Sequence, residues 1–84
     1  MIDLNLYRVF DAVYRERNLT LAGRRLGVSQ PAVSNALGRL RSHYNDPLFI
    51  RRGREMRPTA LAERIVPTVQ QALMMLGETL EPGR

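Results

Sequence analysis

Gly27-Val28-Ser29 is the most restrictive stretch of this sequence, because it imposes a sharp turn between two helical patterns. Before it lies a short amphipathic segment capped by Thr20. Ala22 and Leu26 face inward, and Arg24 and Arg25 face solvent or a phosphate. Glycine accepts the left-handed conformation that ends a helix, so Gly27 closes the segment. Val28, a lone apolar residue, is expected to plug the gap between the two helices. Ser29 caps the next helix, Pro31 fits its first turn, and the pattern runs to about Tyr44. Two short helices joined this way form a helix-turn-helix. Many helical domains contain tight turns, so the turn alone does not assign a function.

The outer face of the third helix narrows the choice. Val33, Ala36, Leu37, Leu40 and Tyr44 project to one side, leaving Gln30, Pro31, Ser34, Asn35, Gly38, Arg41 and Ser42 on the other. A solvated helix face usually carries Glu and Lys, and this one carries neither. A helix that approaches base edges must exclude acids, which phosphates repel. Gln30, Ser34 and Asn35 can donate and accept hydrogen bonds, and glutamine or asparagine can pair with adenine. Pro31 and Ala32 offer apolar contact to a thymine methyl.

Around this centre the chain reads as helices and one small hairpin. Asp3 caps a first helix to about Arg17, with Leu6, Val9, Phe10, Val13 and Tyr14 as its apolar stripe and Asp11–Arg15 as an ion pair. Asn45-Asp46-Pro47 signals a turn. Leu48 to Arg51 and Glu55 to Arg57 read as two short strands, joined by Arg52-Gly53-Arg54 and closed by Pro58. Two arginines flanking a glycine put cations on a slim turn, and a narrow minor groove attracts arginine. Thr59 caps a long last helix to about Leu80, with Glu63 in its first turns and a bend expected at Pro67. Ala62, Val66, Val69, Leu73, Leu76 and Leu80 form a heptad seam on it, the expected self-association surface, while Leu61 and Ile65 serve the core. Glu81 to Arg84 reads as a frayed end.

Charge supports a polyanionic partner. Between Arg24 and Arg57 eight arginines face only Asp46 and Glu55, whereas the remainder is close to neutral. All basic residues are arginine, whose planar fork suits phosphate and guanine, although a GC-rich genome produces the same bias. The length of 84 residues allows one compact domain. Without cysteine, and with His43 the only histidine, disulfides, thiolate zinc sites and histidine metal clusters are excluded. No apolar run approaches the roughly 20 residues of a membrane helix, and Met1 introduces no signal-peptide pattern. The expected location is therefore cytoplasmic. No nucleophile, metal set or paired carboxylates share a plausible site, which argues against an enzyme.

Thr20 to Leu26, then SQPAVS from Ser29 to Ser34, then PLFIR from Pro47 to Arg51, together resemble the N-terminal domain of LysR-type transcriptional regulators, over nearly the whole chain. The resemblance implies a bacterial, mainly α, winged helix-turn-helix with a small two-stranded wing and a dimerising linker helix. It places the base-reading set at Gln30, Pro31, Ser34 and Asn35, the wing arginine at Arg54 and the basic residue after Leu-Phe at Arg51. It further implies an effector domain after residue 84, so the chain reads as a fragment with no cofactor of its own and with any small-molecule effector bound by the missing domain. Departures are Asn35 where arginine is frequent, Gly23 where alanine is usual, Arg41 for a common glutamate, Pro58-Thr59 for Leu-Thr, and Ala62 for glycine. Arg39-Leu40-Arg41 and Asn45-Asp46-Pro47 look like the branch that contains nodulation-gene regulators.

The expected organisation is a winged helix-turn-helix over 1–58 and a linker and dimerisation helix over 59–84. The helix at about 30–44 enters the major groove, wing arginines enter the minor groove, and the last helix forms a dimer on a near-palindromic operator. Thr20, Arg24, Ser29, Arg39, Arg41, Arg51, Arg52 and Arg54 are expected on the DNA backbone or in the minor groove, and Val66, Val69, Leu73, Leu76 and Leu80 at the dimer contact. In the full-length protein a tetramer is the alternative assembly. Two rival readings are an RNA-binding module, which needs more exposed aromatics than Tyr7, Phe10, Tyr14, Tyr44 and Phe49 offer, and a pure dimerisation module, which leaves the arginine-rich middle without a role.

Overall fold

Each turn of the chain is made by a residue that tolerates an unusual backbone or caps a helix, and four helices and a hairpin lie between these turns. The computed structural model describes residues 3–79. In order it contains α1 (Asn5–Glu16), α2 (Leu19–Leu26), α3 (Gln30–Tyr44), β1 (Phe49–Arg52), β2 (Glu55–Pro58) and α4 (Ala60–Thr79). This is the expected mainly α winged helix-turn-helix. Leu80 and the tail from Glu81 to Arg84 lie outside the described residues.

The caps explain the boundaries. The cap position of α1 is Leu4, which makes no side-chain cap bond, and Asp3 acts from one residue earlier, its carboxylate accepting from the Asn5 N–H at 2.9 Å. The second helix starts earlier than Thr20. Asn18 is its cap, with its side-chain oxygen 2.8 Å from the Leu21 N–H, and Thr20 lies inside the first turn. Either residue type can cap, and the competition is decided by α1, which ends at a left-handed Arg17 (φ 56°) and leaves Asn18 extended. Gly27 ends α2 at φ 73°, and the Ser29 hydroxyl accepts from the Ala32 N–H at 3.2 Å to start α3.

Two local expectations are corrected. Val28 does not plug the interhelical gap; its side chain is 45% exposed, and its backbone N–H donates to the Gly23 carbonyl at 2.9 Å. The hairpin loop has two residues rather than three, because Arg52 belongs to β1 and pairs with Glu55. Gly53 has φ 61°, which satisfies a turn that needs a positive φ at its first central position. Leu48 precedes the strand rather than opening it. It holds φ 64° while fully buried, and the Phe49 N–H reaches back to the Pro47 carbonyl at 2.7 Å across it. Such a backbone costs a branched residue about 1–3 kcal/mol, which burial of its side chain offsets by a similar about 1.5–3 kcal/mol.

One core joins all the elements. Phe10 and Val13 of α1, Ala22 of α2, Val33, Leu37 and Leu40 of α3, and Phe49 and Met56 of the wing are buried together. The Phe10 and Phe49 rings meet at 5.4 Å between centroids and fix the wing against α1. The Met56 N–H donates to the Arg17 carbonyl at 2.9 Å, a second tie between the same two elements. Among the described residues no polar or charged side chain is buried.

The last helix forces a further correction. Ala62, Val66 and Val69 are buried inside this chain, at 0%, 6% and 7% exposure, so Val66 and Val69 are core residues and do not lie on an open self-association seam. Leu61 and Ile65, expected to fill the core, are only half-buried beside it. A heptad pattern records that a helix has an apolar partner; it does not say that the partner belongs to another molecule. The first half of α4 thus closes the core of the winged part across the boundary at 58. Helical structure continues through Pro67, which is exposed.

Candidate nucleic-acid interface

Every position of α3 that faces away from the core is small, polar or basic, and the helix contains no acid. Its inner side is fixed by Val33, Ala36, Leu37 and Leu40, and this sets the rotation of the helix. Gln30, Pro31 and Asn35 are consequently exposed, and Ser34 and Gly38 are partly so. The Gln30 Nε2 donates to Ser34 Oγ at 3.0 Å. That contact orients the Gln30 amide and leaves its Oε1 and one amide hydrogen free for a base edge. Asn35 lies on the same outer surface with no side-chain partner among the described residues.

The arginines divide into two groups that the sequence does not distinguish. Arg25 is paired with Glu16 at 2.7 Å, and Arg57 with Glu55 at 2.8 Å. Arg17 donates to the Tyr14 carbonyl at 2.6 Å and lies over the Tyr14 ring. Arg41 donates through Nε to the Pro47 carbonyl at 2.8 Å, so it braces the turn after α3 and has only its terminal nitrogens left for a phosphate. Arg24, Arg39, Arg51, Arg52 and Arg54 are exposed and enter no ion pair among the described residues. They lie on α2, α3 and the wing. Thr20 is exposed at the start of α2, and the Ser29 hydroxyl is engaged as a cap.

Asp46 is the residue whose role sequence reasoning missed. Its Oδ2 accepts from the Leu48 N–H and from Thr59 Oγ1, both at 2.8 Å. Thr59 in turn donates its N–H to the Leu48 carbonyl at 2.9 Å and accepts from the Ala62 N–H at 3.2 Å. The Asn-Asp-Pro turn signal was visible, but its tie to a residue 13 positions away was not.

Tyr7, Tyr44, Leu4, Ile65, Leu73 and Leu76 line an apolar groove with a volume of about 370 Å³. The Tyr7 and Tyr44 hydroxyls meet at 2.6 Å at its edge. Burial, and then the hydrogen bond with Tyr7, pushes the Tyr44 phenol up to about 12. Among the described residues no group of His, Asp or Glu could hold a metal ion, and no helix is long and apolar enough to cross a membrane.

Comparison with known proteins agrees with this geometry. Residues 4–63 match the family model described as bacterial regulatory helix-turn-helix protein, lysR family. The HTH-type transcriptional regulator LeuO of Escherichia coli K12 is 53% identical over 99% of this chain and 26% of its own length. Nodulation protein D 1 of Rhizobium leguminosarum bv. phaseoli is 53% identical over 87% of the chain and 23% of its own length. The solved structure of a probable transcriptional regulator from Pseudomonas aeruginosa superposes with a TM-score of 0.94 at 51% identity, covering 99% of this chain and 28% of that one. The chain thus spans about a quarter of the length of the curated relatives it matches.

Proposed function

The chain belongs to the LysR family of bacterial helix-turn-helix regulators, and on that premise we propose that it binds duplex DNA in a sequence-specific manner, with α3 in the major groove and the wing in the adjacent minor groove. The observation that carries this reading is the acid-free outer face of α3 together with Arg24 on α2 and Arg51, Arg52 and Arg54 on the wing, all exposed and without an ion pair among the described residues. Gln30, Pro31 and Asn35 read bases, with Ser34 holding Gln30. Arg24, Arg39, Arg51 and Arg52 neutralise phosphates, and Arg54 enters the minor groove. Residues 59–84 act as a linker through which two copies associate on a near-palindromic site. A small-molecule effector would act on a domain outside this chain, and the regulator would work in the cytoplasm beside the chromosome.

Titration against duplex DNA and single-stranded RNA, followed by selection of bound fragments from random duplexes, tests the proposal. Duplex should bind tightly and RNA weakly. Asn35→Ala should relax preference at one base pair by about 1–3 kcal/mol, the value of a lost bidentate contact. Equal affinity for both polymers, or an unchanged base preference in Gln30→Ala and Asn35→Ala together, would reject it.

A further inference from the structure

We propose that Asp46 is the positioning residue of the wing: its carboxylate ties the root of the hairpin to the first turn of α4 and thereby sets where Arg52 and Arg54 point. This inference rests on the DNA-binding reading above and adds a residue that touches no DNA.

The root of the wing is the segment between the left-handed Asn45 that ends α3 (φ 52°) and the start of β1 at Phe49. No sheet ladder supports it. Asp46 Oδ2 instead receives the Leu48 N–H and the Thr59 hydroxyl on one oxygen, each at 2.8 Å. Thr59 returns a bond from its N–H to the Leu48 carbonyl at 2.9 Å. From the α3 side, Arg41 Nε holds the Pro47 carbonyl at 2.8 Å. Leu48, strained at φ 64°, is therefore bonded at both its N–H and its carbonyl.

The carboxylate suits this place electrostatically. It lies at the N-terminal turn of α4, beside the cap residue Thr59, where the helix dipole favours negative charge. The hairpin beyond it is short, with strands of four residues each. A small rotation at its root is carried to the turn at Gly53 and Arg54. The buried Phe49 and Met56 hold the body of the hairpin against α1, and the Asp46 bonds add a separate hold at the root that joins it to α3 and α4.

Asp46→Ala, Asp46→Asn, Arg54→Ala and the double variant Asp46→Ala/Arg54→Ala test this in the 84-residue chain. The first readout needs no DNA. Amide hydrogen exchange at Leu48 and Thr59 should accelerate on the order of tenfold or more in Asp46→Ala, as expected for loss of a charge-assisted bond. Exchange at Leu37 and Leu40 should stay unchanged. The second readout compares duplexes with one core site and either A·T-rich or G·C-rich flanks. Asp46→Ala should lose the flank preference to the extent that Arg54→Ala does, and the double variant should match Arg54→Ala alone. Asp46→Asn keeps an acceptor oxygen in place and should retain most of both properties, which also covers the case in which the alanine variant folds poorly. Unchanged exchange at Leu48 and Thr59 in both Asp46 variants would overturn the proposal. So would losses that add in full in the double variant, because a general weakening of the fold behaves that way. A flank preference untouched by Arg54→Ala itself would instead remove the minor-groove reading of the wing, while the exchange rates would still decide the hold of Asp46 on the hairpin.

Discussion

A methyl group on Gly23 would stand 2.7 Å from the backbone carbonyl oxygen of Val28, closer than a Cβ and an oxygen can come. This glycine is what lets α2 and the turn at Gly27-Val28-Ser29 lie against each other, and the Val28 N–H bond to the Gly23 carbonyl at 2.9 Å closes the same contact. Gly23→Ala therefore sets two effects against each other. Helix propensity favours alanine by about 0.8–1 kcal/mol, and overpacking against a backbone atom costs about 1–3 kcal/mol. The expected net result is a loss of about 1 kcal/mol in urea unfolding, with base preference unchanged. A rise in stability would show that the turn moves away freely.

Salt dependence should separate the two groups of arginines. On α2, α3 and the wing, five arginines, Arg24, Arg39, Arg51, Arg52 and Arg54, are exposed, have no carboxylate partner among the described residues and are available to phosphates. If each neutralises one, the slope of log affinity against log salt is on the order of −4 to −5 per chain. Removing Arg24 or Arg52 should flatten the slope by about 0.9. Arg25→Ala should flatten it less, because Arg25 is held by Glu16 at 2.7 Å. Equal changes for Arg24→Ala and Arg25→Ala would show that DNA competes the Glu16 pair away.

Those ion pairs mark where sequence reasoning reached its limit. The third helix was legible from Gln30 to Tyr44 because a cap, a proline and a single apolar face all agreed. Thr20 and Asn18 both suit the cap of α2, and the left-handed end of α1 at Arg17 decides for Asn18. The pairing of Arg52 with Glu55 is not legible in the sequence, because register depends on turn length, which Gly53 alone does not specify. The bond between Asp46 and Thr59, like the burial of Val69 against the domain's own core, depends on tertiary proximity, which one-dimensional periodicity does not contain.

Alkali should expose the tyrosine pair at the groove. The Tyr44 phenol rises from its ordinary value of 10.0 to about 12 in the folded chain, first through burial and then through Tyr7. Its stabilising contribution is therefore complete below about pH 10 and disappears as pH climbs toward 12. Unfolding free energy should fall across that window, and Tyr44→Phe should make the fall shallower while costing about 0.5–1.5 kcal/mol at neutral pH through loss of the hydrogen bond to Tyr7. Identical slopes for wild type and Tyr44→Phe would mean that Tyr44 titrates alike in both states.

The proposed association through α4 has a narrower address than the heptad pattern suggests. The helix changes character along its length: Ala62, Val66 and Val69 face the chain's own core, whereas Met74, Met75 and Leu76 are 63%, 58% and 51% exposed. Together with Ala72 and Leu73 they make this segment apolar on every side, a condition in which a helix needs a covering partner. The apolar groove lined by Leu4, Tyr7, Leu73 and Leu76 borders the same segment. A second copy of the chain, laying its own α4 there, would cover both. Leu76→Glu should then weaken association by about 2–4 kcal/mol, as for a central apolar anchor, and leave the helical circular dichroism and thermal melt intact. Val69→Glu should unfold the chain, since it puts an unpaired charge into the core at a cost of about 3–5 kcal/mol. Sedimentation of wild type and both variants, with and without a paired operator, distinguishes these positions. Leu76→Glu should bind a half-site almost normally and lose most of its affinity for the paired site. A wild-type chain that sediments as a monomer at tens of micromolar, even with the operator present, would assign the exposed methionines and Leu76 to contacts with another part of the regulator.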